Sequence, residues 1–114
     1  MGLFKRNKED LTKYSVLYSE HFRGFKRFQV VIHGNDEAEK NNKTIYQKDF
    51  TNSLFEFAYN NSNDFVCIYI DGLLVGTIFD ENIINLIKDR KIEAIHAEPK
   101  PGEERLTFFI KYNE

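Results

Sequence analysis

Tryptophan is missing from this sequence of 114 residues, and cysteine occurs once, as Cys67. A single thiol rules out an internal disulfide and a zinc site built on cysteines. Long apolar runs are missing too: no segment approaches the ~20 residues that a bilayer-crossing helix needs. The opening "MGLFKRNKED" has charges but no apolar stretch behind it, so it does not read as a secretory signal. Gly2 invites N-myristoylation, yet Arg6 stands where Ser or Thr is wanted. The expected location is the cytoplasm, with no membrane partner. Asn42-Lys43-Thr44 and Asn60-Asn61-Ser62 are then chance matches to the glycosylation pattern. Histidine is sparse, and His21, His33 and His96 lack the i, i+4 or paired spacing of a metal site. No nucleophile has a recognisable base partner and no Gly-rich phosphate loop occurs, so no metal, cofactor or catalysis is expected.

What is present is a chain of one-domain length, 41% apolar, with eleven Phe and six Tyr, which describes a globular fold. The formal charge is only −2 but is unevenly spread. Met1–Arg27 carries seven Lys or Arg against three Asp or Glu, a net of +4, leaving −6 for the remainder. The sequence therefore places a basic segment on an acidic body.

Met1 to about Lys8, charged and terminal, is expected to be mobile. Leu11, Tyr14, Tyr18 and Phe22 recur at helical spacing and predict a helix over Glu9–Phe22, although "YSVLY" also suits a short strand. "FQVVIHG" (Phe28–Gly34) reads as a strand, and the polar "NDEAEKNNK" (Asn35–Lys43) as a loop, with room for a helical turn. "SLFEFAY" alternates as a strand, "NNSND" is a turn, and "IEAIHAE" and "RLTFFIKY" are strands joined by the turn "PKPGEE". Asp80 is a good N-cap for "ENIINLIKDRK", whose Ile83, Ile84 and Ile87 form one stripe.

Asp71-Gly72 between two apolar runs is a strong two-residue hairpin signal. Pairing Ile70 with Leu73 sets Cys67 against Gly76 on one face. Ile70, Leu73, Ile68, Val75, Val66 and Thr77 fall on the other, expected to be the inner one. Gly76 weakens a strand, so something is expected to approach it closely: a ligand backbone, or one of the two predicted helices filling a small-residue notch. The fold class expected is mainly β with one or two helices (α+β), a small antiparallel barrel of about six strands of the OB or SH3-like kind.

The segment from Asn61 to about Lys91 resembles the HIRAN domain, whose pattern runs Asn-Pro-x-Asp-x-x-Ala-Ile-x-Val and then, past a glycine, Val/Ile-Gly-Tyr/His. Asn61 and Asp64 match at the same spacing. Cys67 takes the place of the small Ala, Ile68 and Ile70 take the aliphatic positions, and Gly72 and Val75-Gly76 follow. Ser62 replaces the proline and Thr77 the Tyr or His. The glycine with basic and aromatic residues that often follows the family's first strand is reduced to His33 and Gly34. The resemblance implies a HIRAN-like barrel over Phe28–Glu114. It also implies binding of single-stranded DNA at a 3′-hydroxyl end, with Asp64 contributing.

Candidate ligand residues are accordingly Asp64, Asn61, Tyr69, Thr77, Arg23, Lys26 and Arg27, alongside Lys5, Arg6, Lys8 and Lys13 as phosphate contacts. Tyr59, Tyr69 and Tyr112 are the better stacking candidates, because a phenol tolerates a wet edge; Phe55, Phe57, Phe108 and Phe109 look like core. Asn61 and Asp64 also suit a purely structural task, capping their own turn. Two functions stay open: a nucleic-acid-binding module, and a protein-interaction or self-association module. Exposed Arg or Lys beside the Asp64 turn favours the first, an apolar notch the second.

Overall fold

The computed structural model describes residues 11–61 and 64–113. The mobile terminus expected at Met1–Lys8, the cations Lys5, Arg6 and Lys8, and Ser62 lie outside these residues.

Seven strands and two helices follow one another as β1 (Leu11–Tyr18), β2 (Lys26–Phe28), α1 (Asp36–Ile45), β3 (Phe55–Asn60), β4 (Phe65–Ile70), β5 (Leu73–Ile78), α2 (Glu81–Lys88), β6 (Ile92–Pro99) and β7 (Leu106–Tyr112). They form one sheet in the order β2-β7-β6-β1-β3-β4-β5, curled into a half-barrel. The α+β, barrel-like class holds, but with seven strands rather than six. The sheet is mixed rather than antiparallel, because β1 runs parallel to β6.

The extra strand is β1, where helical spacing predicts a helix. Tyr14, Val16 and Tyr18 also alternate, and here that period wins: Val16 is buried, and Tyr14 and Tyr18 pack against the core. β1 pairs with β3 over Leu11–Val16 and with β6 at Leu17 and Tyr18. A strand with partners on both sides satisfies far more backbone than an isolated short helix, so tertiary pairing overrides local spacing. Residues from Leu11 onward thus belong to the sheet itself.

The segment expected to be a loop is the helix α1. Asn35 caps it, its Oδ1 accepting from Ala38 N at 3.1 Å, and Asp36, Glu37 and Glu39 favour its first turn. Its inward stripe is thin, being Ala38, Asn42 and Ile45, which is why no apolar period announces it. The strand expected over Phe28–Gly34 is found only at Phe28, the last residue of β2, and at a single bridge from Val31 to Thr77 of β5. That bridge joins the chain leaving one edge of the sheet to the opposite edge.

The hairpin forms where expected. Asp71 (φ 51°) and Gly72 (φ 83°) both take the left-handed conformation that a type I′ turn demands. Ile70 pairs with Leu73 and Tyr69 with Leu74, but a bulge between Ile68 and Tyr69 then shifts the register. Gly76 consequently opposes Ile68, and Cys67 opposes Thr77, so the expected Cys67–Gly76 notch does not exist. Val66, Ile68, Ile70 and Val75 face inward as expected, whereas Leu73 is exposed and Thr77 half-buried. Neither helix supplies the atoms that a Cβ at Gly76 would meet first. A Cβ there would collide with Val30 Cγ1 and stand 3.2 Å from Ile32 Cγ2 and 3.3 Å from the Val31 carbonyl. The close approach is the chain's own Val30–Ile32 segment.

The core gathers Phe55, Phe57, Val66, Ile68, Ile95, Phe108 and Ile110 from the sheet and Ile83, Ile84 and Ile87 from α2. Asp80 caps α2, its Oδ1 accepting from Asn82 N and Ile83 N.

Candidate nucleic-acid interface

The turn after β3 starts at Asn61, whose Nδ2 donates to Thr12 Oγ1 on β1 at 3.2 Å. Next to it the C-terminal end of α2 docks on β1: the Tyr14 hydroxyl donates to the Ile87 carbonyl at 2.7 Å. The chain then reverses through Arg90 (φ 54°), with Arg90 N and Lys91 N bonding back to Ile87 O and Leu86 O. These contacts bring Lys88 and Arg90 to the Asn61 end of the turn. Together with Thr12, Tyr14, Tyr59 and Asn61 they line a pocket of about 150 Å³.

Both cations lie over aromatic rings. Lys88 Nζ is 5.1 Å from the Tyr59 centroid, and the Arg90 guanidinium is 5.2 Å from that of Tyr14. Burial pushes the Tyr14 phenol well above its ordinary pKa, against a smaller opposing pull from Arg90. Tyr14 therefore stays neutral, and the charge presented by the pocket lining is that of two cations. Such a surface can hold a phosphate and offer a ring edge to a base.

Asp64 is exposed at the head of β4. The other expected residues do not converge on one surface. Tyr69 is half-buried under Lys13, whose Nζ is 4.7 Å from the ring centroid and 3.9 Å from Glu56. Its phenol pKa is raised, mainly by burial and then by Cys67 and Glu37. Thr77 is occupied with the Val31 bridge and, through its hydroxyl, with Cys67. Cys67 itself is half-buried, and burial raises its thiol pKa. Arg23 is exposed between β1 and β2, Lys26 Nζ is 6.0 Å from the Tyr112 centroid, and Arg27 lines a separate cleft. Of the stacking candidates, Tyr59 is the one that lines the Asn61 pocket. Phe55, Phe57 and Phe108 are core as expected, while Phe109 is half-buried and stacks on Phe22 at 5.3 Å.

Lys88 and Arg90 are not singled out by the sequence, where basic residues at the end of a helix are explained by its dipole. Their alternation in "KDR" straight after an apolar stripe is the available signal. It gains meaning only once Asn61 is known to lie opposite. No family model, no curated protein and no solved structure matches this chain. Function is therefore read from geometry.

Proposed function

We propose that this chain is a non-catalytic module that binds single-stranded nucleic acid at the Asn61–Asp64 turn. One observation carries the reading: two exposed cations, Lys88 and Arg90, sit over tyrosines beside Asn61. Exposed basic residues at this turn are the feature expected to separate nucleic-acid binding from protein interaction. The sequence resemblance to HIRAN domains supports the same site. In this mechanism Lys88 and Arg90 neutralise backbone phosphates, and Tyr59 presents its ring to a base. Asp64 accepts a hydrogen bond from a terminal 3′-hydroxyl and repels a terminal phosphate.

The test is a low-salt binding panel of single-stranded DNA with free or phosphorylated 3′ ends, duplex DNA and RNA. Single strands with a free 3′-hydroxyl are expected to bind best, and Lys88→Glu with Arg90→Glu to abolish binding in a still-folded protein. Binding that survives this double reversal, or none to any single strand, overturns the reading.

A second reading, a protein-interaction or self-association module, is favoured by Leu17 and Leu54. They are 78% and 48% exposed and flank one shallow cleft between β1 and the segment before β3.

A further inference from the structure

Where β2 ends, the ladder with β7 parts. Lys100 N donates to Arg105 O across the β6–β7 turn, so along β7 the odd-numbered residues from Arg105 to Phe109 bond toward β6. Leu106, Phe108 and Ile110 therefore bond toward β2, and Phe28–Phe108 is a rung of that ladder. Val30–Leu106 would be the next rung, and it is not made. The chain instead swings to β5, where Val31 exchanges both its backbone hydrogen bonds with Thr77 at 2.8 and 3.0 Å. Val31 points toward β5, so the N–H and C=O of Val30 point the opposite way, toward β7. Among the described residues neither finds a partner. On the far side Leu106 N is taken by the Asn42 side chain of α1 at 3.1 Å.

The parted rung opens a cleft of about 470 Å³, within the range of ligand-binding clefts (about 300–1,000 Å³). Its lining includes Arg27, Val30, His33, Lys100, Arg105 and Leu106, with no carboxylate among the lining residues. Lys100 and Arg105 lean on Glu103 of the turn at 2.9 and 3.0 Å, while Arg27 has no ion-pair partner among the described residues.

We infer that this cleft receives an extended acidic peptide segment, which restores the missing rung against Val30. The backbone decides between classes of ligand. Val30 offers a donor and an acceptor side by side, and an extended peptide matches both. A phosphate backbone brings only acceptors and leaves the Val30 carbonyl facing like charge. The rim, which carries Lys100 and an Arg27 without an ion-pair partner among the described residues, selects acidic side chains at alternate positions, those that point out of the cleft. The site is distinct from the Asn61 pocket and does not depend on the nucleic-acid reading.

The experiment uses the full chain and a panel of labelled extended peptides with Glu or Asp at alternate positions and Val, Leu or Phe between. The controls are the same peptides with Lys for the acids, the same peptides N-methylated at alternate amides, and oligo(dT). The acidic peptides are expected to bind, and the Val30 amide to become protected from hydrogen exchange. Arg27→Glu with Lys100→Glu should weaken binding on the order of tenfold, about 1.4 kcal/mol. Lys88→Glu with Arg90→Glu should leave it unchanged. N-methylation leaves the protein untouched and should weaken binding in one of the two methylation registers. Equal affinity for both methylated registers and the parent peptide overturns the inference. So does no binding across the panel up to about 1 mM, or preferential occupation of the cleft by oligo(dT).

Discussion

Gly76 is buried and has Val30 packed where its side chain would be. Replacing it with Val forces Val30 and Ile32 outward, a kind of overpacking that typically costs ~1–3 kcal/mol. A clearly lowered melting temperature for Gly76→Val is expected, and one equal to the wild type would show that the seam can widen freely. Asn42 is the buried counterpart, 1% exposed on the inner side of α1. Its Nδ2 donates to Ala38 O and to Val75 O on β5, both at 2.8 Å, while its Oδ1 accepts from Leu106 N on β7. Asn42→Ala is expected to cost about 1–3 kcal/mol for each buried group left unpaired, read from urea denaturation. Asn42→Asp keeps the acceptor for Leu106 but sets a carboxylate against the Val75 carbonyl, so it too should destabilise. Asp71 adds a pH-dependent contribution. Its carboxylate takes hydrogen bonds from Lys48 at 2.7 Å and from Leu54 N at 2.8 Å, and these hold its pKa below the ordinary 3.8, the Lys48 bond most of all. A depressed folded-state pKa means that the contribution is present above the unfolded value and is lost as pH falls through the folded one. The melting-temperature gap between wild type and Asp71→Asn should therefore be widest near neutrality and narrow below pH 3.8. A constant gap would place the effect in the turn's backbone instead.

At the scale of elements, α2 and the hairpin are legible because their signals are local. Asp80 followed by an isoleucine stripe names a helix start, and Asp71-Gly72 names a type I′ turn. Asp80→Ala removes the acceptor for Asn82 N and Ile83 N and is expected to cost about 1 kcal/mol, measured as a shift in urea midpoint. The same substitution should loosen the C-terminal turn that carries Lys88 and Arg90 much less, since Tyr14 holds Ile87 directly. β1 and α1 mislead for opposite reasons. In β1 two periods coexist, and the winner is chosen by β3 and β6, which come much later in the chain. In α1 the buried position at the centre of the stripe is the polar Asn42, so a helix essential to the fold looks like a loop. The bulge at Ile68/Tyr69 is a third case: the register of the hairpin follows from its turn only as far as Tyr69–Leu74.

Taken as a whole molecule, the barrel lacks one complete ladder, between its edge strands β2 and β5. The Val31–Thr77 bridge and the Asn42 amide span that seam together, the first through backbone and the second through a side chain. Among the described residues the charge asymmetry of the sequence does not become a single basic face. Lys13 is engaged with Tyr69 and Glu56, and Arg27 with the cleft, while the cations beside Asn61 come from the acidic half of the chain. If single-stranded DNA binds at the Asn61 turn, the milder Lys88→Ala with Arg90→Ala should flatten the dependence of log affinity on log salt by roughly 0.7 for each phosphate that is no longer neutralised. Arg23→Ala with Lys26→Ala should leave that slope unchanged. The reverse pattern would move the interface to β2.

The sequence by itself determined the class of fold, the hairpin, the second helix, the terminal strand pair and the presence of something close to Gly76. Each of these depends on residues adjacent in the chain: a turn dipeptide, a cap, an alternation, a missing Cβ. Tertiary structure alone decided that Leu11–Tyr18 is a strand, that Val30–Ile32 is what approaches Gly76, and that Lys88 and Arg90 stand beside Asn61. Those outcomes depend on which backbone groups find partners once distant segments meet. That pairing is settled by the closure of the whole sheet, not by the preference of any one segment.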